Sequence, residues 1–428
     1  MGLGTKAAQP AETDAILSVV EGNPRAPAPL PGQRRIVDHL KRSEKSLWEW
    51  LSSVRCREEY AKNVRLELLK STVRLEREGN ADLYALADRA AAGLSLAVPL
   101  TIYQSQAGEG LNASLVYVPA EIHVVFTGPV RTLLSPDEVL AILGHELSHY
   151  DFFSLGNGEF LTADQVLVTM ANHERAHPSH FETARLFRLY SELQADRGSL
   201  LVAGRIEDAV SGLVKIQTGL AQADAAAYLR QAEEIFAGGE ARTEGVTHPE
   251  LFIRARALKL WSERGADAEA EIARMIEGPV SIDRLDLSGQ DRLSTLTRRL
   301  LVVLLTPAWF RSAPALAHAR LFFEDFAPGS PEEEDSLAFD ELRACGAGIC
   351  DYLCYVLLDF AAVDPDLEDA PLAAAHAASE RLGIDERFEE LVLQELSLTK
   401  RKLAALRKDR EKILAAAGKS APSGGSGR

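Results

Sequence analysis

Cysteine is scarce in this chain: four in 428 residues, at Cys56, Cys345, Cys350 and Cys354. So few thiols make no disulfide framework in a chain this long, which points to a reducing compartment. Three of them sit in an apolar stretch, Ala344 to Phe360, without metal-binding spacing, and read as core-packing side chains. Positive charge is short as well, because 47 Lys and Arg against 63 Asp and Glu leave a formal net charge of −16. Nucleic acid and anionic membrane, which select basic surfaces, are excluded as default partners. Long apolar runs are missing. The longest, Leu300 to Phe310 and Tyr352 to Val363, each carry a proline or an aspartate and fall short of the ~20 residues a bilayer span needs. Residues 1–32, rich in Ala, Pro, Gly and acids, hold no apolar core of signal-peptide type and read as disordered. A cytoplasmic protein without a membrane span is the expectation.

What is present is concentrated in five residues, His145-Glu146-Leu147-Ser148-His149, directly after the apolar run Val139 to Leu143. Positions four apart on a helix lie on one face, so both imidazoles can reach one metal ion with Glu146 beside them. Two neutral imidazoles plus a third ligand leave one position open on zinc, and a neighbouring carboxylate can take a proton from water. Helix punctuation supports the reading: Ser135 suits the N-cap, Pro136 the first helical position, and Glu138 completes a capping box. The competing reading is two surface histidines on an ordinary amphipathic helix.

The third ligand decides between these readings. A helical stretch from Thr183 to Val202 contains Glu192 and Asp196, again four apart on one face. Glu192 can complete a two-histidine, one-carboxylate site, and Asp196 can accept the second N–H of a ligand histidine and fix its tautomer. Taken alone the pair would read as a solvated acidic edge; beside His145 and His149 it reads as a ligand and its support.

Four blocks in order carry a resemblance. They are Asn112-Ala113-Ser114 with Val116 to Pro119, running on through Glu121 to Leu134; Gly144 to His149; Glu192 to Asp196; and Thr247-His248-Pro249 with Arg254. The span from about Asp82 to Leu258 resembles the HtpX-like and CAAX prenyl protease type of zinc metallopeptidase, metallopeptidase family forty-eight of the gluzincins. The resemblance implies that His145, His149 and Glu192 bind one zinc per chain, that Glu146 is the general base, and that Asp196 orients a ligand. It places Asn112, Ala113 and Ser114 on a substrate-binding strand, with Ser114 standing where the family commonly has a larger apolar residue. It also brings His248 and Arg254 near the catalytic centre. Either could stabilise an oxyanion, while Arg254 could equally pair with a helix carboxylate.

The rest of the chain frames this site. A helix from Leu47 to Arg77 and another from Ala81 to Leu94 precede three short strands, Leu100 to Tyr103, Ser114 to Val118 and Glu121 to Phe126. His123 lies on the last of these and reads as structural. The segment Asp151 to Glu182 has no clear periodicity and reads as a mobile lid. Its His173, His177 and His180 are loop residues, because the proline at 178 breaks the register a second metal would need. From Ile282 onward the chain is helical. Val356 to Asp364 resembles TerB-like domains, which would make Asp359, Asp364, Asp366 and Glu368 candidate acidic positions, with solvated helix-end acids as the alternative. A final helix, Phe388 to Ala415, carries Leu396, Leu403, Leu406 and Ile413 near heptad spacing, a seam for self-association or partner docking.

The expected fold is α+β: a zincin-like metallopeptidase domain, mostly helical with a small sheet, plus an all-α C-terminal domain. The expected division is a disordered segment at 1–32, a metallopeptidase domain at 33–275 and a helical connector at 276–327. An acidic linker at 328–336, a helical domain at 337–417 and a disordered tail at 418–428 follow. The expected function is zinc-dependent endoproteolysis of protein or peptide substrates. The alternatives are a low-turnover or autoinhibited zinc-binding adaptor working through its C-terminal helices, and a zinc hydrolase acting on something other than peptides.

Overall fold

The computed structural model describes residues 28–106, 108, 110–239, 241–278, 281–329 and 346–420. These are mostly helical with one four-stranded sheet, an α+β composition. They form two compact units that divide after Gly278.

The first unit opens with α1 (Pro31–Ser43), α2 (Lys45–Leu51) and α3 (Val54–Ser71), followed by β1 (Thr72–Leu75) and α4 (Ala81–Gly93). Leu30, within the segment expected to be disordered, is 2% exposed and packs with Leu186 and Tyr190. Its backbone N–H donates to Gln33 Oε1. Order therefore begins before residue 32, and residues 1–27 lie outside the described residues. The single helix expected from Leu47 to Arg77 is interrupted twice. Ser53 caps α3 by accepting from the Cys56 N–H. At the other end the β-branched Thr72 and Val73 leave the helix for an antiparallel pairing with β2 (Leu100–Ser105).

The sheet order is β1-β2-β4-β3, with β3 spanning Asn112–Val118 and β4 Glu121–Thr127. β2 and β4 run parallel; the outer pairs are antiparallel. Alternation sends Ile122, Val124 and Phe126 toward α4 and the core on that face, and Val125 toward Leu68 of α3. His123 shares the α3 side, buried, with Tyr103 Oη 3.3 Å from its Nδ1 and Glu121 Oε2 3.0 Å from its Nε2. β3 is an edge strand, and its free side borders the site described below.

After α5 (Val130–Leu133) comes α6 (Pro136–Ala171), whose N-terminus is fixed by the reciprocal bonds of Ser135 and Glu138. Lys215 of α8 (Ile206–Thr218) pairs with the same Glu138 at 2.8 Å in a buried position. α6 bends where Gly156, Asn157 and Gly158 take φ of 55°, 58° and 81° in succession. Glycine tolerates that region and asparagine is the next best. The chain then resumes as helix. The lid expected from Asp151 to Glu182 is therefore mostly helical, since α7 (Pro178–Ala203) begins after only a short turn.

α6 and α7 pack at close range through small residues. A Cβ placed on Gly198 would stand 1.6 Å from Ser148 Oγ, and one on Gly144 would stand 2.7 Å from Val202 Cβ. The unit closes with α9 (Ala225–Ala237), α10 (Leu251–Arg264) and α11 (Glu269–Glu277).

The second unit contains α12 (Leu287–Leu304), α13 (Ala313–Phe322), α14 (Ala347–Ala361), α15 (Ala370–Leu382), α16 (Asp385–Glu395) and α17 (Lys400–Ser420). Leu300 and Phe310, expected in a connector, share one core with Leu357, Phe360 and Phe388, so that segment belongs to the helical unit. The expected final helix is broken after Leu396, with Ser397 at φ 53°. Leu403 and Leu406 are 4% exposed in the same core, which consumes the seam expected for self-association. Asp364 caps the next turn by accepting from the Asp366 N–H, and Asp359 lies 3.8 Å from His318 Nε2; the four acids do not gather into a cluster. Cys354 is buried in the core with Cys350 against it, while Cys345, most of the expected linker and residues 421–428 lie outside the described residues. Among the described residues no helix is long and apolar enough to cross a membrane.

Gly198→Ala should destabilise the protein by about 1–3 kcal/mol, the usual cost of forcing volume into a packed interface. Adding Ser148→Gly should recover part of the loss. Thermal denaturation of the two variants beside wild type checks both.

Candidate metal centre

The close approach of α6 and α7 sets the site. His145 and His149 stand one turn apart on α6, their rings edge to face at 4.9 Å, with the two Nε2 atoms 3.2 Å apart. From α7, Glu192 brings Oε2 to 3.5 Å from His145 Nε2 and Oε1 to 3.5 Å from His149 Nε2. Ligand atoms of all three lie within 4.8 Å of one another, the one such group among the described residues.

The donor set fits a divalent ion. Ligands about 2.0–2.1 Å from a tetrahedral centre stand roughly 3.3 Å from each other, close to the separations observed here. Two imidazole nitrogens and one carboxylate oxygen are donors that a borderline-soft dication accepts.

One turn after Glu192, Asp196 is fully buried with Oδ1 3.0 Å from His145 Nδ1. In the neutral ring, that carboxylate would hold the proton on Nδ1 and leave the Nε2 lone pair facing the cluster. Asp196 is itself held by Arg254 of α10, whose Nε donates to Oδ2 at 2.8 Å and Nη2 to Oδ1 at 2.6 Å. Arg254 also comes within 3.6 Å of Glu192 Oε2. Of the two readings left open for this arginine, the geometry places it on the carboxylate. His248 is 57% exposed along its side chain, with Nε2 3.6 Å from Glu192 Oε1 and Nδ1 2.9 Å from Thr247 Oγ1.

Glu146, in the same cleft as the donors, reaches the sheet. Its Oε2 accepts the backbone N–H of Leu115 at 2.6 Å. Since Leu115 gives its N–H to Glu146 and not to β4, alternation turns the backbone of Ala113 and Tyr117 to the same free edge. A cleft of about 1070 Å³ runs here, lined by Asn112, Ala113 and Ser114 as well as by His145, Glu146, His149 and Glu192. His173 and His177 stand apart, accepting from the Arg175 and Ser179 N–H groups.

Burial and pairing set the charges. Burial raises Glu146 to about 7 and pushes His149 down to about 4. For His145 burial also opposes the charge, but the Asp196 and Glu192 carboxylates outweigh it and lift the imidazole to about 10. Glu192 and Asp196 are both held below the usual carboxylate range: burial works against them, and the His145 bond in one case and the Arg254 charge in the other prevail. The two carboxylates thus favour the charged form of His145 over that of His149.

Sequence reasoning passed over five contributors. The Leu115 amide carries no side-chain signal. Gly198 and Ser148, which let the helices meet, show only as small residues in helices, and Asp164 and Tyr60, which line the cleft, are unremarkable in the chain. Comparison with protein-family models, with curated proteins and with solved structures finds no match to this chain.

Because His145 holds its proton below about 10 and must release it to act as a donor, Zn²⁺ binding at neutral pH should expel about one proton, and affinity should rise with pH. Calorimetric titration in buffers of different ionisation enthalpy measures this; release of no proton would show that the His145 ring is already neutral before the metal binds.

Proposed function

We propose that this chain is a zinc-dependent metalloendopeptidase with a zincin-like catalytic unit, similar to the HtpX-like and CAAX prenyl protease type of gluzincin. The observation that carries the reading is the position of Glu146. Its carboxylate lies between a two-histidine, one-glutamate donor set and the free edge of β3, to which one of its oxygens is bonded through the Leu115 N–H. A base held there faces both the metal position and the edge along which an extended peptide can add as a strand.

In this reading His145, His149 and Glu192 hold zinc, which supplies Lewis acidity toward water and the scissile carbonyl. The chain's own residues do the rest. Leu115 fixes one oxygen of Glu146, leaving the other to accept a proton from water and to return it to the leaving amine. Asp196 keeps the His145 ring in the tautomer that faces the cluster, and Arg254 balances the charge of Asp196 and Glu192, so both are positioning residues. His248, at the exposed side of Glu192, is placed to donate to a developing oxyanion.

Glu146→Gln should retain stoichiometric zinc and lose about 10²- to 10⁴-fold in cleavage of an unfolded protein substrate. Chelation should abolish wild-type cleavage and zinc should restore it. Wild-type rates from the Glu146→Gln variant would overturn the assignment of the base, and comparing new protein termini in cells expressing each form would identify substrates.

The pH profile offers a second check. Glu146, raised to about 7 by burial, must be ionised to accept a proton, so kcat/KM should rise with pH. Positive charge at the neighbouring donor set draws that value down, so the acid limb should centre below about 7. A rate that falls through this range as pH rises would contradict the proposal.

A further inference from the structure

The cleft extends beyond the residues that the mechanism uses. From His149 the lining continues through Phe153, stacked on the imidazole at 6.3 Å, and Tyr117, edge-on to Phe153 at 6.0 Å. It reaches Tyr60 of α3, Leu161 and Asp164 of the resumed half of α6, and Arg188 of α7. Tyr60 lies within electrostatic range of both Tyr117 and Asp164, and Asp164 within range of Arg188. The walls are therefore aromatic and aliphatic, with a carboxylate set among them.

That carboxylate has no assigned partner. Among the described residues Asp164 makes no hydrogen bond or ion pair, although it is partly buried and burial raises its pKa. Arg188 is the nearest candidate, yet it forms no ion pair with Asp164 within 4.0 Å and its side chain is exposed to water. A charge in solvent is stable alone, whereas a carboxylate in apolar surroundings gains most from a cation. A lysine or arginine side chain meets both requirements, since its methylene stem covers aromatic surface while its head pairs with a carboxylate.

We propose that Asp164 is a specificity-determining residue, making this part of the cleft a subsite for a substrate residue with a long cationic side chain. The inference rests on the peptidase reading for its setting and names the substrate class that reading leaves open. Asp164 touches neither the metal donors nor the reacting atoms. Its substitution should alter which peptide is preferred and leave the chemistry unchanged.

The test separates this inference from the peptidase reading by measuring binding without turnover. Full-length, zinc-loaded Glu146→Gln is titrated with fluorescent peptides of one host sequence in which a single residue, moved through every position, is lysine, norleucine or glutamate. At one position lysine should bind about tenfold tighter than norleucine, the scale of one charge-assisted contact. Adding Asp164→Asn should remove that difference while leaving the norleucine affinity unchanged, which also certifies the fold; Arg188→Gln should increase the lysine preference. Equal affinity for lysine and norleucine at every position, a preference for glutamate, or a lysine preference that survives Asp164→Asn would each overturn the subsite. Lysine-selective binding in a protein whose wild type cleaves nothing would sink the peptidase reading and leave the subsite standing. Cleavage without lysine selectivity would do the reverse.

Discussion

Everything at the site depends on how closely two helices can approach. Ligands from α6 and α7 meet at one point only because Gly198 offers no Cβ to Ser148 and Gly144 none to Val202. Side chains of ordinary size would hold helix axes about 8–10 Å apart, and every ångström of separation would pull Glu192 from the two imidazoles. Ser148 contributes twice, since its hydroxyl is also turned back onto the Gly144 carbonyl at 2.7 Å and so stays folded against its own helix. Packing and chemistry are thus the same constraint here: the residues between the two histidines are chosen for size as well as for a carboxylate.

The approach creates an electrostatic problem that a third helix relieves. Glu146, Glu192 and Asp196 crowd into a buried volume with Arg254 as the one guanidinium among them. With neutral imidazoles that sum is two negative charges in excess, and each unbalanced buried ion costs several kcal/mol. The same excess shows in the shifts: the carboxylates lift His145 to about 10, and burial lifts Glu146 to about 7. A dication would balance it outright. The charge of the cluster and the spacing of its donors therefore converge on the same occupant, which is stronger than either alone.

Much of this was legible in the chain because it is local. A histidine pair at helical spacing, a capping box at Ser135, and Glu192 and Asp196 four apart are short-range patterns governed by helix geometry. What was not legible is long-range or backbone in origin. β1 was hidden because Thr72 and Val73 follow a helical pattern without a break, and only pairing with β2 reveals a strand. The segment after Asp151 read as a lid because Gly156-Asn157-Gly158 looks like a loop; three left-handed residues bend α6 and let it resume. The heptad-like leucines near the C-terminus show periodicity but not which partner they meet, and Leu403 and Leu406 meet their own core.

The bend in α6 also explains why the cleft has the lining it does. A straight helix would carry the residues after Phe153 away along the α6 axis. The left-handed turn redirects the chain so that Leu161 and Asp164 return to the same cleft as His149. A positive φ at Asn157 is unfavourable for any residue with a Cβ, and the structure retains it where the redirected half-helix borders the candidate site. On the opposite wall, the Leu115 amide is withdrawn from any added strand by its bond to Glu146, whereas Ala113 and Tyr117 keep theirs at the free edge. Under the proposed reading, a peptide pairing with those two residues would have its gap in the ladder beside the base. The register of the added strand would then set which bond is presented, and the side-chain subsites beyond Phe153 would set which peptide is held there long enough to react.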